Sequence, residues 1–378
     1  MEKELFTLLR LGLAIAATEE ENLSGFIVMT AEQWSRIGDL ARKQGVLGIM
    51  LDGIDELEAT RYGLTRQLTV TQKLEWIGEV LQIEQRNRHQ IVVMNDLAGK
   101  WKQQGCRVMV IKGQANGVFY PKPEHRNPGD IDCYLINERR KTKGERRAQE
   151  DGYKIGNEIA RQEGASVNER WYKHSVINYN GETFENHRYF VHTRDGKRGK
   201  RLNEELVNEL NDKSEEIKVI PGTVVEMPSV QWTAMFLTYH ACAHFISEGL
   251  RLKQILDWAM FLKVHQRDVD WDAFYAFCNR NHLWVFADAM NTIALKYLGV
   301  KVDGEILVVK ESPYADKIMH SALYDEDYVF NSGKSGWANR LHLVKNLFRF
   351  RWKYDEIYQT SVWKQLWWYV SGYLFKTE

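Results

Sequence analysis

The chain has 378 residues, 44% hydrophobic and 12% aromatic, with 51 basic and 51 acidic side chains. That length predicts two or three domains with substantial cores, and the balanced charge excludes a wholesale polyanion binder. The cysteines Cys106, Cys133, Cys242 and Cys278 form no Cys-x-x-Cys pair, which argues against a zinc ribbon or disulfide scaffold and for a reducing, cytoplasmic compartment.

The N-terminus, Met1-Glu2-Lys3-Glu4, carries acid ahead of its apolar run and makes a poor signal peptide. No apolar run approaches the ~20 residues that span a bilayer. Residues 1–104 read as helical. Thr30-Ala31-Glu32-Gln33 fits a capping box ahead of Trp34, Ile37, Leu40 and Ala41, with Gly45 as the stop. A longer helix carries Leu74, Ile77, Leu81, Ile91, Met94, Leu97 and Trp101 on one side and ends at Gly105.

Residues 105–225 are mixed. A β-type run, Val108-Met109-Val110-Ile111, ends in Lys112-Gly113, and the start of a short helix follows at Gln114. The chain returns through Arg126-Asn127-Pro128-Gly129 into Asp130-Ile131-Asp132 and a second run, Cys133-Tyr134-Leu135-Ile136. Helical sequence spans Glu138 to Glu163. Two β-type runs, Ser175–Tyr179 and Thr183–Val191, flank Asn180-Gly181, the strongest short hairpin signal. Pro221 and Pro228 mark the exit. Residues 226–378 are helical again, with Ser229 as N-cap before Trp232, Phe236, Leu237, Tyr239 and Ala243. The expected fold class is therefore α+β, a mixed core between two helical regions.

Alternate strand residues share a face, so Asp130 and Asp132 project to one side with Cα atoms roughly 7 Å apart. At an effective dielectric near 20 they repel by about 2 kcal/mol. Such a pair suits a hard cation such as Mg²⁺, completed by waters and substrate phosphates. As cleft carboxylates they should tolerate removal: Asp132→Ala is expected to keep the fold and to melt at an unchanged or higher temperature. The plainer reading is turn solvation after Pro-Gly. Glu185 offers a third acid on the hairpin. Glu182 is its rival, but parity groups Glu185 with Thr183 and His187.

Elsewhere, His240 and His244 stand one helical turn apart, without a His-Glu-x-x-His motif or an evident third ligand; polar packing is the favoured reading, and Asp257 is a candidate to orient one ring. Basic clusters at Arg139, Arg140, Lys141, Lys143, Arg146, Arg147 and at Arg194, Lys197, Arg198, Lys200, Arg201 suit an anionic substrate, or simply a solvated helix and loop. The late aromatic stretch, from Phe348 to Phe375, reads as core ahead of a membrane-surface or ring-binding element.

Ile111-Lys112-Gly113, Tyr120-Pro121, Arg126-Asn127-Pro128-Gly129-Asp130-Ile131-Asp132, Glu185-Asn186-His187 and the later His240, Arg251-Leu252 and Asp257 resemble a pattern of the uncharacterised bacterial nucleotidyltransferases, within the DNA polymerase β-like superfamily. The likeness covers roughly residues 30–300. It implies a small mixed-sheet nucleotidyltransferase core at 105–225, flanked by the helical regions 1–104 and 226–378. It also implies catalysis and metal binding (Mg²⁺ or Mn²⁺) by Asp130, Asp132 and Glu185. Nucleotide contacts are expected from Lys112, Gly113, Arg126 and Gly129. The implied activity moves a nucleoside monophosphate from an NTP such as ATP to an unknown acceptor, a small molecule, protein or RNA, releasing pyrophosphate. The alternatives are an inactive nucleotide-binding or protein-interaction relative, and a metal-dependent hydrolase. Where the superfamily has Gly-Ser after its first strand, this chain has Lys112-Gly113-Gln114, so Lys112 is the candidate to replace the hydroxyl contact. Arg126 is either a phosphate clamp or a salt-bridge partner of Glu124 or the Asp pair.

Overall fold

The computed structural model describes residues 1–15, 20–59, 68–138, 145–191, 196–212, 216–247, 249–325, 344–364 and 366–367. The chain splits into two compact units, Met1–Thr233 and Ala234–Glu378. The first opens with helices α1 (Glu2–Gly12), α2 (Glu20–Ile27), α3 (Ala31–Gln44), α4 (Leu47–Ala59) and α5 (Val70–Gln103). The capping box is formed: Gln33 N donates to Thr30 Oγ1 at 3.3 Å and Thr30 N to Gln33 Oε1 at 2.8 Å. Gly45 ends α3 in the left-handed region. The buried side of α5 differs from the expected stripe. Leu74 and Leu81 are exposed, while Asn87 and Gln90 are buried in line with Trp76, Val80, Met94, Leu97 and Trp101. Polar groups interrupt the stripe because α5 also anchors a loop, as described below.

The mixed region contains β1 (Cys106–Val110), α6 (Gln114–Gly117), β2 (Ile131–Asn137), α7 (Glu145–Gln162), β3 (Ser166–Asn168), β4 (His174–Tyr179), β5 (Glu182–His187), α8 (Gly196–Asp212), β6 (Lys218–Val219) and β7 (Glu226–Met227). The strands make one seven-stranded sheet, β3-β4-β5-β2-β1-β7-β6. β1 runs antiparallel to β2, and β2 runs parallel to β5. The architecture is thus α+β, a mixed sheet flanked by helices. Asn180 and Gly181 both adopt positive φ, 47° and 82°, as the tightest hairpin turn requires. β5 stops at His187, short of Val191, because the amides of Arg188 and Tyr189 both donate to the Lys173 carbonyl and fold the chain back. The edge strands β3 and β6, and β7 beside β6, are too short to carry an alternating run. Lys197 to Arg201 open α8 and do not form a loop. Arg139 to Lys143 and Arg194 lie outside the described residues.

Alternation gives the sheet two unlike faces. Val108, Val110, Ile131, Cys133, Leu135, Ile177 and Phe184 form one core with α5 and α7. α7 comes very close: a Cβ on Gly152 would lie 2.2 Å from the Leu135 carbonyl oxygen. Backbone cannot yield there as a side-chain tip can, so Gly152→Ala should cost at least the roughly 1–3 kcal/mol typical of overpacking. Chemical denaturation should show a lowered midpoint, and an unchanged midpoint would contradict so tight a contact. On the other face Tyr134 packs on Phe190 at 4.4 Å and Phe190 on Trp232 at 4.9 Å. Asp132, two residues before Tyr134, shares this second face.

The second unit is helical: most of α9 (Val230–Ser247), then α10 (Leu252–His265), α11 (Trp271–Arg280), α12 (Trp284–Lys296) and α13 (Ala315–Tyr324). Ser229 Oγ caps α9 by accepting from Trp232 N at 3.2 Å. Of the late aromatics, Phe350 and Tyr354 are buried while Trp363 and Trp367 are exposed; Trp368 to Phe375 lie outside the described residues. No helix among the described residues is long and apolar enough to cross a membrane.

Candidate active site

β1 ends at Val110, and Ile111 N still bonds to the Asp132 carbonyl at 3.0 Å, so Lys112 emerges beside Asp132. Gly113 follows at φ 66°, ψ −108°, a conformation only glycine holds cheaply. Its carbonyl accepts the amides of Asn116 and Gly117 and starts α6. Among the described residues, a Cβ there would meet only the Asp130 carbonyl at 3.4 Å, so they leave the backbone at this turn uncovered.

The returning loop is fastened to α5 by side-chain amides. Asn87 Nδ2 donates to the carbonyls of Glu124 at 2.8 Å and Arg126 at 3.0 Å. Gln90 Nε2 donates to Gly129 O at 2.7 Å and Glu182 Oε2 at 3.1 Å. Gln114 Nε2 reaches both Asn87 and Gln90 at 2.8 Å. Arg126 is buried, and Gly129 presents its carbonyl to α5. Glu182 is thereby accounted for as a partner of Gln90 in this loop anchor.

Asp132 and Glu185 are register partners on the parallel strands β2 and β5, and both carboxyls face His187 Nε2. Asp132 is 1% exposed. Its Oδ1 lies 3.0 Å from Lys112 Nζ and 3.0 Å from His187 Nε2. Burial alone would raise the Asp132 carboxyl, but Lys112 and His187 outweigh it and hold the group well below the usual range. The Lys112 ammonium, which burial would discharge, is kept charged by Asp132, Glu185 and Asp130. Asp132 is therefore not the open cleft carboxylate expected from its place after Pro-Gly; it is a buried, paired one. Asp130 precedes β2 and is exposed at the rim. Partial desolvation of its carboxyl, then repulsion from Glu185 and Asp132, raises it above its ordinary value.

Two histidines complete the cluster. His174 stands opposite His187 across the β4–β5 pair, with ring centroids 5.3 Å apart. Glu185 lies 3.5 Å from each ring, Oε1 from His174 Nε2 and Oε2 from His187 Nε2. Burial pushes His174 down to about 4, so its ring is neutral at physiological pH. Ligand atoms of His174, Glu185 and His187 all lie within 4.8 Å of one another. The signal for His174 was register: counting outward from Asn180-Gly181 sets it opposite His187.

A second ionic cluster supports the loop from below. His125 Nδ1 contacts Asp52 at 2.9 Å and Nε2 contacts Glu84 at 3.0 Å, while Lys122 Nζ reaches Asp52 at 2.6 Å. Burial lowers the His125 value, but Asp52 and Glu84 together raise it above its ordinary one. A raised histidine stabilises the fold fully below its unfolded pKa of about 6.5 and loses that contribution as pH rises through the folded value. The melting temperature of His125→Asn should therefore fall furthest below wild type near pH 6, with the gap narrowing toward pH 9. A gap independent of pH would mean packing alone. In the second unit, His240 stacks on Phe236 at 5.6 Å and meets His244 edge-on at 4.4 Å. No triad of metal-ligating groups forms around them among the described residues. Asp257 is buried in α10.

A family model described as an uncharacterised nucleotidyltransferase matches residues 30–299. No curated protein and no solved structure matches the chain.

Proposed function

The chain belongs to the uncharacterised nucleotidyltransferase family, and we propose that it moves a nucleoside monophosphate from an NTP to an acceptor nucleophile, releasing pyrophosphate. A divalent ion, Mg²⁺ or Mn²⁺, is held in this reading by Asp130, Asp132 and Glu185. The carrying observation is the juxtaposition of Asp132 and Glu185 on adjacent parallel strands, with Asp130 at the open rim. Asp132 and Glu185 offer hard carboxylate oxygens from register positions on adjoining strands, and an ion bound there would displace the Lys112 ammonium from Asp132 Oδ1. When bound, the ion supplies charge neutralisation for the triphosphate and lowers the pKa of an attacking hydroxyl.

The chain's own groups supply the rest. With its carboxylate partners neutralised, Lys112 is free to turn its ammonium to phosphate oxygens. The uncovered backbone at Gly113 lets a phosphate approach without a Cβ in the way. Arg126 and Gly129 lie on the loop that Asn87 and Gln90 hold still, so that positioning is set before substrate arrives. The acceptor is a small molecule, a protein or an RNA, and ATP is the first donor to test. The cytoplasm is the compartment we infer, since all four cysteines are buried thiols outside any disulfide.

One observation favours a second reading, a nucleotide-binding relative without transfer: Lys112 already occupies the cation position at Asp132. Incubation with α-labelled NTPs, Mg²⁺ or Mn²⁺ and acceptor pools separates the two. Metal-dependent pyrophosphate release with label on an acceptor supports transfer. Release of free monophosphate means hydrolysis, and calorimetric NTP binding without turnover means the binding relative.

A further inference from the structure

We propose that His174, Glu185 and His187 form a second metal site, selective for a divalent first-row transition ion over Mg²⁺, with Glu185 shared between it and the carboxylate site. It rests only in its shared ligand on the reading above, and it assigns the histidines a role that transfer by the carboxylates does not require.

The first support is the geometry of His187. Its Nδ1 faces the Tyr189 carbonyl at 3.2 Å. A carbonyl only accepts, so Nδ1 donates to it, and this holds the ring with Nε2 turned to the carboxylates. Nε2 lies 3.0 Å from Asp132 Oδ1 and 3.5 Å from Glu185 Oε2. A metal ion bound here would take Nε2 and Glu185 as ligands, displacing any proton on Nε2. A backbone carbonyl on the far nitrogen is also how ligating imidazoles are usually oriented.

His174 is the second, independent support. Its Nδ1 is buried with no hydrogen-bond partner among the described residues, and its Nε2 faces Glu185. The side of the His174 ring that has a partner is thus the one that faces Glu185. The two rings and the carboxylate come from adjoining strands, so their spacing is held by ladder hydrogen bonds. Glu185 already stands 3.5 Å from each imidazole nitrogen, and the two rings, within 4.8 Å, must draw together around an ion with bonds near 2.1 Å. Two nitrogens and a carboxylate favour Mn²⁺, Fe²⁺, Co²⁺ or Zn²⁺, whereas Mg²⁺ prefers oxygen.

Co²⁺ titration of the nucleotide-free, full-length protein tests this. The expected result is a visible absorption band, displaced by Zn²⁺ and unaffected by millimolar Mg²⁺. Proton spectra should show paramagnetically shifted imidazole N–H signals, one of them slow to exchange because of the Tyr189 hydrogen bond. His174→Ala and His187→Gln should each weaken Co²⁺ binding at least tenfold, with circular dichroism checking that both remain folded. If His187→Gln does not fold, His174→Ala and the wild-type imidazole signals decide. Asp130→Asn and His240→Ala should leave the band intact. No band, a band without imidazole signals, or one lost in His240→Ala but kept in His174→Ala overturns the proposal. Absence of nucleotide transfer with the band present would overturn only the reading of the carboxylate site.

Discussion

Asp132→Ala should abolish metal-dependent transfer, by at least about 10³-fold, and should also lower the melting temperature. The activity loss follows from removing a ligand whose ion stabilises several kcal/mol of developing charge, each 1.4 kcal/mol being tenfold. The stability loss follows from what the carboxylate touches. Lys112 Nζ, on a side chain 23% exposed, loses its partner at 3.0 Å, and His187 loses one of two. Removing one member of a buried pair costs about 3–5 kcal/mol, because the other charge stays buried. In a unit of this size 3 kcal/mol corresponds to about 6–12 °C. Calorimetry in metal-free buffer reads this directly. A variant melting with wild type would mean that Lys112 finds another counter-charge. This reverses the expectation drawn from sequence, where two cleft carboxylates implied only mutual repulsion.

Asp130→Ala should lose transfer equally but shift stability the other way. Asp130 is at the rim, and its raised carboxyl reports that the fold resists its charge, through desolvation and then through Glu185 and Asp132. For a raised carboxyl the stabilising contribution is present at low pH and lost as pH climbs through the folded value. Near pH 7.5 the variant should therefore melt at or above wild type, and near pH 4 the two should converge. Salt should shrink the difference, since the group is exposed. Mg²⁺ with NTP should raise the melting temperature of wild type alone. An Asp130→Ala protein that melts well below wild type at neutral pH would make Asp130 a structural cap of the loop. The pair of variants thus separates two carboxylates with the same proposed role by opposite effects on the metal-free fold.

Much of the local structure was legible because it depends on a few neighbouring residues. Thr30 and Gln33 make a capping box by reaching each other's backbone. Asn180-Gly181 turns the hairpin because both residues accept positive φ. The parity of Asp132 with Tyr134, and of Glu185 with His187, follows from the two-residue period of a strand. The Gly-Asp-Ile-Asp block and the residues around it were enough to indicate the family.

Strand order and cover are different in kind. Nothing local says that β2 lies beside β5, yet that parallel pairing alone makes Asp132 and Glu185 neighbours. The burial of Asp132 depends on Lys112 arriving from β1 and His187 from β5, two segments that meet only across the sheet. Asn87 and Gln90 look like breaks in an apolar stripe until the loop they hold is seen beside them. His174 carried no motif and gained its place from hairpin register. Residue chemistry and short-range periodicity thus selected the groups and the face each would take, because those follow from backbone geometry over a few bonds. Which groups share a site, and whether a carboxylate is open or buried and paired, followed from non-local strand pairing and from the helices and loops that exclude water.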